Sequence, residues 1–402
     1  MRVLLVGSGG REHALACGLS RSPSLRELHV APGNPGLAGL GLCHPVHAHD
    51  RDGLRELATT LAADLVVIGP EAPLVAGLGD ELRRAGIAVF GPGAEAARIE
   101  GSKRFAKDVM VAAGVPTAAV LAVAEPPCVV KVDGLASGKG VFVCRTSEEV
   151  DSGLRAASAL GEEVVIEELL EGPEVSLFAL CDGRRAVALG AATDYKRACD
   201  GDRGPNTGGM GACSPVSLPE DPAALVARIH QPVIDELARR GMPFVGCLFA
   251  GLMLTDAGPR VLEFNARFGD PETQVIVPRL EGDLLEALAA AARGEAEGNR
   301  LAEGADAAVT IVLAGPDYPA SSAYVGAAIT GLGEAEAAGA LVFHGGTAIH
   351  DGALVTNGGR ILSLTALAPS IPEARERAYS AVEKVSFQGM RFRTDIAMAA
   401  GG

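Results

Sequence analysis

The chain opens on an unbroken apolar run, Val3-Leu4-Leu5-Val6, that ends in Gly7-Ser8-Gly9-Gly10. An apolar block of that length bounded by glycines reads as a buried strand. A helix is expected from Arg11 to about residue 20, a strand over 28–31, another over 65–68, a helix over 78–85 and a strand over 87–90. This alternation is the pattern of an α/β, doubly wound parallel sheet. Three turns fall where strands end: Gly7 to Gly10, Ala31-Pro32-Gly33-Asn34-Pro35-Gly36, and Gly69-Pro70-Glu71-Ala72-Pro73. Ligands of such sheets sit at the carboxyl ends of the strands.

Past Gly91-Pro92-Gly93 the pattern changes. A helix carrying Lys103 and Lys107 precedes a strand over 129–132, a Gly-rich turn over 134–140 and a strand over 141–144. A helix over 146–158 and a strand over 164–168 lead into the turn Leu169-Leu170-Glu171-Gly172-Pro173-Glu174. Strands over 175–181 and 186–191, a Gly-rich stretch over 200–211, a helix over 221–240, strands over 245–254 and 260–264, and a helix over 282–293 follow. The last hundred residues read as short strands, glycine turns and one helix over 372–385. The expected organisation is a doubly wound domain over 1–100, a central domain over 101–300 with a flap at about 117–190, and a small α+β domain over 301–402.

Composition narrows the function. Apolar residues make up 48% and charged residues 21% of the 402, so a packed chain is expected. Net charge is −15 with no basic run, and Trp is absent, which argues against nucleic-acid partners. The first apolar run is too short for a signal peptide and no stretch reaches the length of a membrane span. Eight scattered cysteines read as free thiols of a reducing cytoplasm. An anionic substrate must then be held by a few placed cations and backbone N–H groups.

The chemistry-bearing runs are few. Asp133-Gly134-Leu135-Ala136-Ser137-Gly138-Lys139-Gly140 can lay N–H groups and one ammonium along a polyphosphate. It is not a Walker loop, because Asp133 and Gly140 stand where that motif has Gly and Ser or Thr. An ordinary Gly-rich hairpin satisfies the same pattern. In Glu263-Phe264-Asn265-Ala266-Arg267-Phe268-Gly269-Asp270-Pro271-Glu272, strand alternation puts Glu263, Asn265 and Arg267 on one face and the apolar residues in a core. A carboxylate beside an amide oxygen suits magnesium, and the Arg can neutralise a phosphoryl group; a solvated strand face with a Glu–Arg pair is the plain alternative. Asp194-Tyr195-Lys196-Arg197 followed by Gly204-Pro205-Asn206-Thr207-Gly208-Gly209-Met210-Gly211 can hold an anionic acceptor, and fits a surface loop equally. Gly7 to His13 fails the dinucleotide fingerprint at Glu12 but can bind a single phosphate. His13 reads as structural. His44, His47 and His49 with Asp50 match no closed metal site and read as a solvated loop.

Taken in order, a Lys-bearing helix, a strand Lys, a Gly-rich flap, a Glu-Glu-Leu-Leu hinge and a Glu-x-Asn-x-Arg strand resemble the ATP-grasp ligases. Within them the chain is most similar to the family of phosphoribosylamine–glycine ligases. The hallmarks are Gly9-Gly10-Arg11-Glu12-His13-Ala14, Ala31-Pro32-Gly33-Asn34, Gly69 to Leu74, Glu100-Gly101-Ser102-Lys103, Gly204 to Gly211, Glu263 to Glu272 and Thr356-Asn357-Gly358-Gly359-Arg360. The resemblance spans nearly the whole chain. It implies ATP-phosphate contacts from Lys103, Lys131 and Lys139, with Gly134, Ser137, Gly138 and Gly140 in the flap. It implies an adenine and ribose hinge at Glu167, Glu168, Leu169 and Glu174, and magnesium (Mg2+) or manganese (Mn2+) on Glu263 and Asn265. Catalytic roles fall to Arg267, Lys139, Lys196 and Asp194. Substrate contacts fall to Gly9, Gly10, Asn34, Glu71, Asn206, Thr207, Gly208, Gly269 and Asp270. The implied substrates are glycine, 5-phosphoribosylamine and ATP, in a cytoplasmic monomer without membrane or nucleic-acid partners.

The chain departs from the family pattern in two places. Residues 120–129 are shorter than usual, which suggests a trimmed flap, and Leu248 to Leu254 carries no carboxylate to add to the metal site. Competing readings are a carboxylase of a purine ribonucleotide, whose ATP turnover would depend on bicarbonate, a non-catalytic nucleotide-binding module, and a dehydrogenase.

Overall fold

The computed structural model describes residues 1–135, 140–160, 163–298 and 300–398. The N-terminal sheet is fully parallel, in the order Leu42–Cys43, Glu27–Pro32, Arg2–Gly7, Leu65–Ile68, Val89–Phe90. Val3, Leu4, Leu5 and Val6 are all buried because both faces of their strand are covered. Leu4 and Val6 pack into one core cluster, Val3 and Leu5 into another. The first strand has the second on one side and Leu65–Ile68 on the other, so strand order reverses there. The Gly7 to Gly10 turn stands at that switch point, where such sheets bind ligands.

The turn expected at Gly69 to Pro73 is partly a short helix, Glu71–Val75. Pro73 is its third residue, where no intrahelical N–H bond is lost, so prolines that suggested a turn are tolerated.

The centre is an antiparallel eight-stranded sheet. Its order is Gly258–Asn265, Val245–Thr255, Glu174–Asp182, Ala186–Asp194, Gly211–Ser214, Ala307–Ala314, Arg360–Ala368, Leu341–His344. The last three strands come from the C-terminal stretch, so that region extends the central sheet. The helix Pro222–Arg239 buries Leu225, Ile229, Val233 and Leu237 at near-helical spacing, and packs against Glu174–Asp182 and Ala186–Asp194. The flap is a three-stranded sheet, Val141–Cys144, Cys128–Val132 and Val164–Glu168, backed by the helix Ser147–Ala159. In the C-terminal region a second helix, Leu332–Ala337, accompanies Ile371–Val382. Six residues are too few for an apolar period to stand out.

His13 is structural, as expected: its Nδ1 accepts the His344 N–H at 2.9 Å, tying the N-terminal body to the C-terminal one. Burial lowers its pKa to about 3. His230 lies fully buried, edge-on to the Phe264 ring. Burial lowers its pKa to about 4. The unfolded chain takes up that proton near the ordinary value of about 6.5, so between those limits the unfolded state binds more protons and stability falls as pH falls. Each such histidine contributes a loss of roughly 1.4 kcal/mol per pH unit below about 6.5. Urea unfolding at pH 7 and pH 5 is expected to show this loss, and His230→Leu to shrink it. An identical pH dependence in that variant would refute the assignment.

Candidate active site

The carboxyl ends of the parallel strands, the flap and the Glu263 end of the antiparallel sheet enclose a cleft of about 1300 Å³. Every expected site residue in the described part of the chain lines it, except Gly269. Ser137, Gly138 and Lys139 lie outside the described residues.

The floor carries the Glu-x-Asn-x-Arg run. Phe264, Asn265, Ala266 and Phe268 are buried, and Glu263, Phe264 and Asn265 border the cleft. The strand ends at Asn265, so Arg267 reaches the cleft from the segment beyond it. Its Nη2 lies 2.9 Å from Glu100 and its Nε 3.4 Å from Glu71. Arg267 was expected to meet a phosphoryl group; here it joins two carboxylates of the N-terminal half to the sheet. Glu100 also accepts the Ala266 N–H at 2.8 Å. Burial raises the Glu100 pKa, whereas at Glu71 the Arg267 and Arg11 guanidiniums outweigh burial and hold it low. Burial also pushes Glu263 up, but Lys196, Lys131 and Lys103 prevail, so it is held below the usual glutamate value.

The lysines come from two elements. Lys131, on the central flap strand, lies 2.8 Å from Glu167 and donates to the Leu262 carbonyl at 2.9 Å. Lys107 lies 3.2 Å from the other Glu167 oxygen and donates to Thr117 Oγ1 at 2.6 Å. Glu167 therefore pairs with two buried ammoniums and offsets part of their charge, which makes them more tolerable in a dry site. Lys103 donates to the Gly134 carbonyl at 3.0 Å. Asp133 accepts the Lys103 N–H at 2.6 Å, so the start of that helix is tied to the flap. Burial lowers the pKa of Lys103, Lys107 and Lys196. Lys196 is ion-paired with Glu174. The Glu168 carboxylate is turned to Arg260 at 2.7 Å and the Ala119 N–H at 2.9 Å.

On the N-terminal side Gly7 has φ +132°, and a Cβ there would meet the Glu12 side chain at 2.5 Å, so only glycine fits the turn. Glu12 accepts the Gly9 N–H at 2.7 Å and starts the helix Gly10–Leu19. Asn34 donates to the Ser8 and His344 carbonyls, both at 2.8 Å, and accepts the Leu37 N–H at 2.9 Å. Its amide fixes the turn.

On the far wall, Thr207 Oγ1 donates to the Lys196 carbonyl at 2.8 Å and accepts the Gly209 N–H at 3.0 Å. The Gly208 N–H donates to Tyr318 Oη at 2.8 Å. Arg360 donates to the Gly208 carbonyl at 2.6 Å and the Asp270 carbonyl at 2.8 Å, and its Nη2 lies 3.1 Å from the Asp270 carboxylate. Gly269 is needed by packing: a Cβ there would lie 2.4 Å from Glu272 Oε2. Asp194 and Glu272 line the same wall; burial raises both, and Glu272 raises Asp194 further.

Residues not expected at the site also line it: Arg11, Glu100, Lys107, Glu272, Tyr318 and Arg360. Lys107 follows Lys103 by one helical turn, the spacing that shares a face. Arg11, Glu100, Glu272 and Arg360 stand inside the quoted hallmark runs without a recognisable role.

A parallel-sheet body, an antiparallel sheet and a hairpin flap closing over lysines and an acidic strand end make this an ATP-grasp ligase. The chain belongs to the phosphoribosylglycinamide synthetase family. It matches that family's N domain over residues 1–100, its ATP-grasp (A) domain over 101–273 and its C domain over 308–399. It is 50% identical over 420 residues to the phosphoribosylamine–glycine ligase of Streptomyces coelicolor, covering 100% of both chains. It is 47% identical to that of Rhizobium meliloti, covering 98% of each. The crystal structure of phosphoribosylamine–glycine ligase from Thermotoga maritima superposes with a TM-score of 0.85 at 36% identity, over 98% of this chain and 100% of that one. No helix among the described residues is long and apolar enough to cross a membrane.

Proposed function

We propose that this chain ligates glycine to 5-phosphoribosylamine through a glycyl phosphate, releasing glycinamide ribonucleotide, ADP and phosphate. The observation that carries this is the meeting, in one cleft, of the lysine set, the Glu263–Asn265 strand end and the N-terminal glycine turn. A carboxylate does not acylate an amine at neutral pH because its oxygen leaves too poorly. Transfer of the ATP γ-phosphoryl group to a glycine oxygen makes phosphate the leaving group. The amine nitrogen then attacks the carbonyl carbon, the C–O bond to phosphate breaks, and the amine loses a proton.

This chain's share is position and charge. Lys103 and Lys131 hold the phosphates, and the sequence offers Lys139 as a third phosphate contact. The Glu167–Glu174 segment seats the nucleoside, and the Gly9-Gly10 helix start receives the sugar phosphate. Asp194, Lys196 and the Asn206-Thr207-Gly208 loop face glycine and the amine. Glu263, ionised beside the Asn265 amide oxygen, suits a hard divalent ion. Magnesium or manganese bound there supplies neutralisation of phosphate charge. Free thiols at all eight cysteines agree with a cytoplasmic enzyme.

The test is ADP release by the purified protein with ATP and magnesium, phosphoribosylamine being generated from ribose 5-phosphate and ammonia. ADP is expected only when glycine and the amine are both present. ADP release driven by bicarbonate instead would overturn the choice of acceptor.

A further inference from the structure

Arg393 is buried to 1% exposure near the C-terminus and does not line the cleft. Its Nη1 donates to Asp202 at 2.8 Å and to the Arg197 carbonyl at 3.1 Å. Its Nε and Nη2 each lie 2.7 Å from Asp395, and its guanidinium sits 5.3 Å over the Tyr195 ring. The neighbouring residues grip the same place. Thr394 bonds both Asp200 oxygens, at 2.8 Å from its N–H and 2.6 Å from its hydroxyl, and Asp395 accepts the Gly201 N–H at 2.7 Å. The contacts to Arg197, Asp200, Gly201 and Asp202 fall on one hairpin, Arg197–Cys199 paired with Arg203–Asn206, and Tyr195 lies just before it. Immediately before that hairpin stands Lys196, and immediately after it Thr207, which bonds back to the Lys196 carbonyl.

We infer that Arg393 is a positioning residue of the ligation reaction: acting through the Arg197–Asn206 hairpin, it sets Lys196 and the Asn206-Thr207-Gly208 loop for the acceptor substrates. Burying a paired charge gains little stability over an apolar side chain of similar volume. What it adds is direction, since a planar guanidinium satisfied on several sides holds its partners in one geometry. Among the described residues this segment makes no hydrogen bond with Lys103, Lys131 or Glu167 on the nucleotide side of the cleft.

The inference rests on the function proposed above, and kinetics separate the two. Arg393→Met combined with Asp395→Asn removes the clamp without leaving a buried carboxylate uncompensated. Thr394→Val loosens the same hairpin from a more exposed position and serves if the double variant does not fold. The KM for glycine and for phosphoribosylamine is expected to rise about tenfold in the double variant and less in Thr394→Val, while the KM for ATP, reached only through the Lys196–Glu174 pair, rises by a smaller factor. Wild-type KM values for all three substrates would overturn the inference, as would a uniform loss that tracks a lowered Tm. Wild-type protein that releases ADP without glycine would instead overturn the proposed function.

Discussion

Replacing Glu263 by Gln is expected to lower ATP turnover on the order of a thousandfold, the scale of losing a central charge-stabilising group, while the protein folds as before. Glu263 is the carboxylate that Lys196, Lys131 and Lys103 hold ionised. The substitution keeps the shape of the side chain and removes its charge. Two functions are lost together: the hard anionic ligand for a divalent ion, and the counter-charge that offsets repulsion among the three ammoniums. The residue borders a water-accessible cleft, so the stability cost is small. Measuring kcat at several magnesium concentrations beside Tm checks this. Full turnover at ordinary magnesium would remove Glu263 from the metal site.

Arg267→Met is expected to have the largest effect on stability, roughly 3–5 kcal/mol, because it strands buried carboxylates. Glu100 and Glu71 both face this guanidinium, and Glu100 has a side-chain exposure of only 7%. Adding Glu100→Gln to Arg267→Met removes one uncompensated charge and is expected to restore part of the loss, a non-additivity that a double-mutant cycle measures. Equal stability of Arg267→Met and wild type by urea unfolding would show that the pairing carries no weight. Activity is lost in both variants, since Arg267 also borders the reacting end of the cleft.

Much of this was readable from residue order alone. Val3 to Val6 is apolar without interruption because two cores claim its two faces, and the glycine turns follow from strands that end at a ligand crevice. The alternation from Glu263 to Phe268 brings Glu263, Asn265 and Arg267 to the cleft, although Phe264 lines it too and the strand stops at Asn265. The rest depends on contacts between distant residues. Arg267 has no local mark showing that Glu71 and Glu100 are its partners, because they lie on helices more than a hundred residues earlier. Asn34 lines the cleft as expected, but its sequence neighbours do not show that His344 accepts from its amide. Arg393 carries no motif at all; its meaning comes from a hairpin that folds against it from 191 residues away. Sequence order shows chemistry where neighbours in the chain share a face, and conceals it where separate bodies supply the partners.

The most direct measurement follows oxygen. Glycine labelled with oxygen-18 in its carboxylate is incubated with the protein, ATP, magnesium and phosphoribosylamine, and the released phosphate is analysed by mass spectrometry. Transfer of one labelled oxygen from glycine to each phosphate, matched to glycinamide ribonucleotide formed, is the expected result. Phosphate free of label during product formation would contradict the glycyl phosphate, and with it the assignment of this cleft.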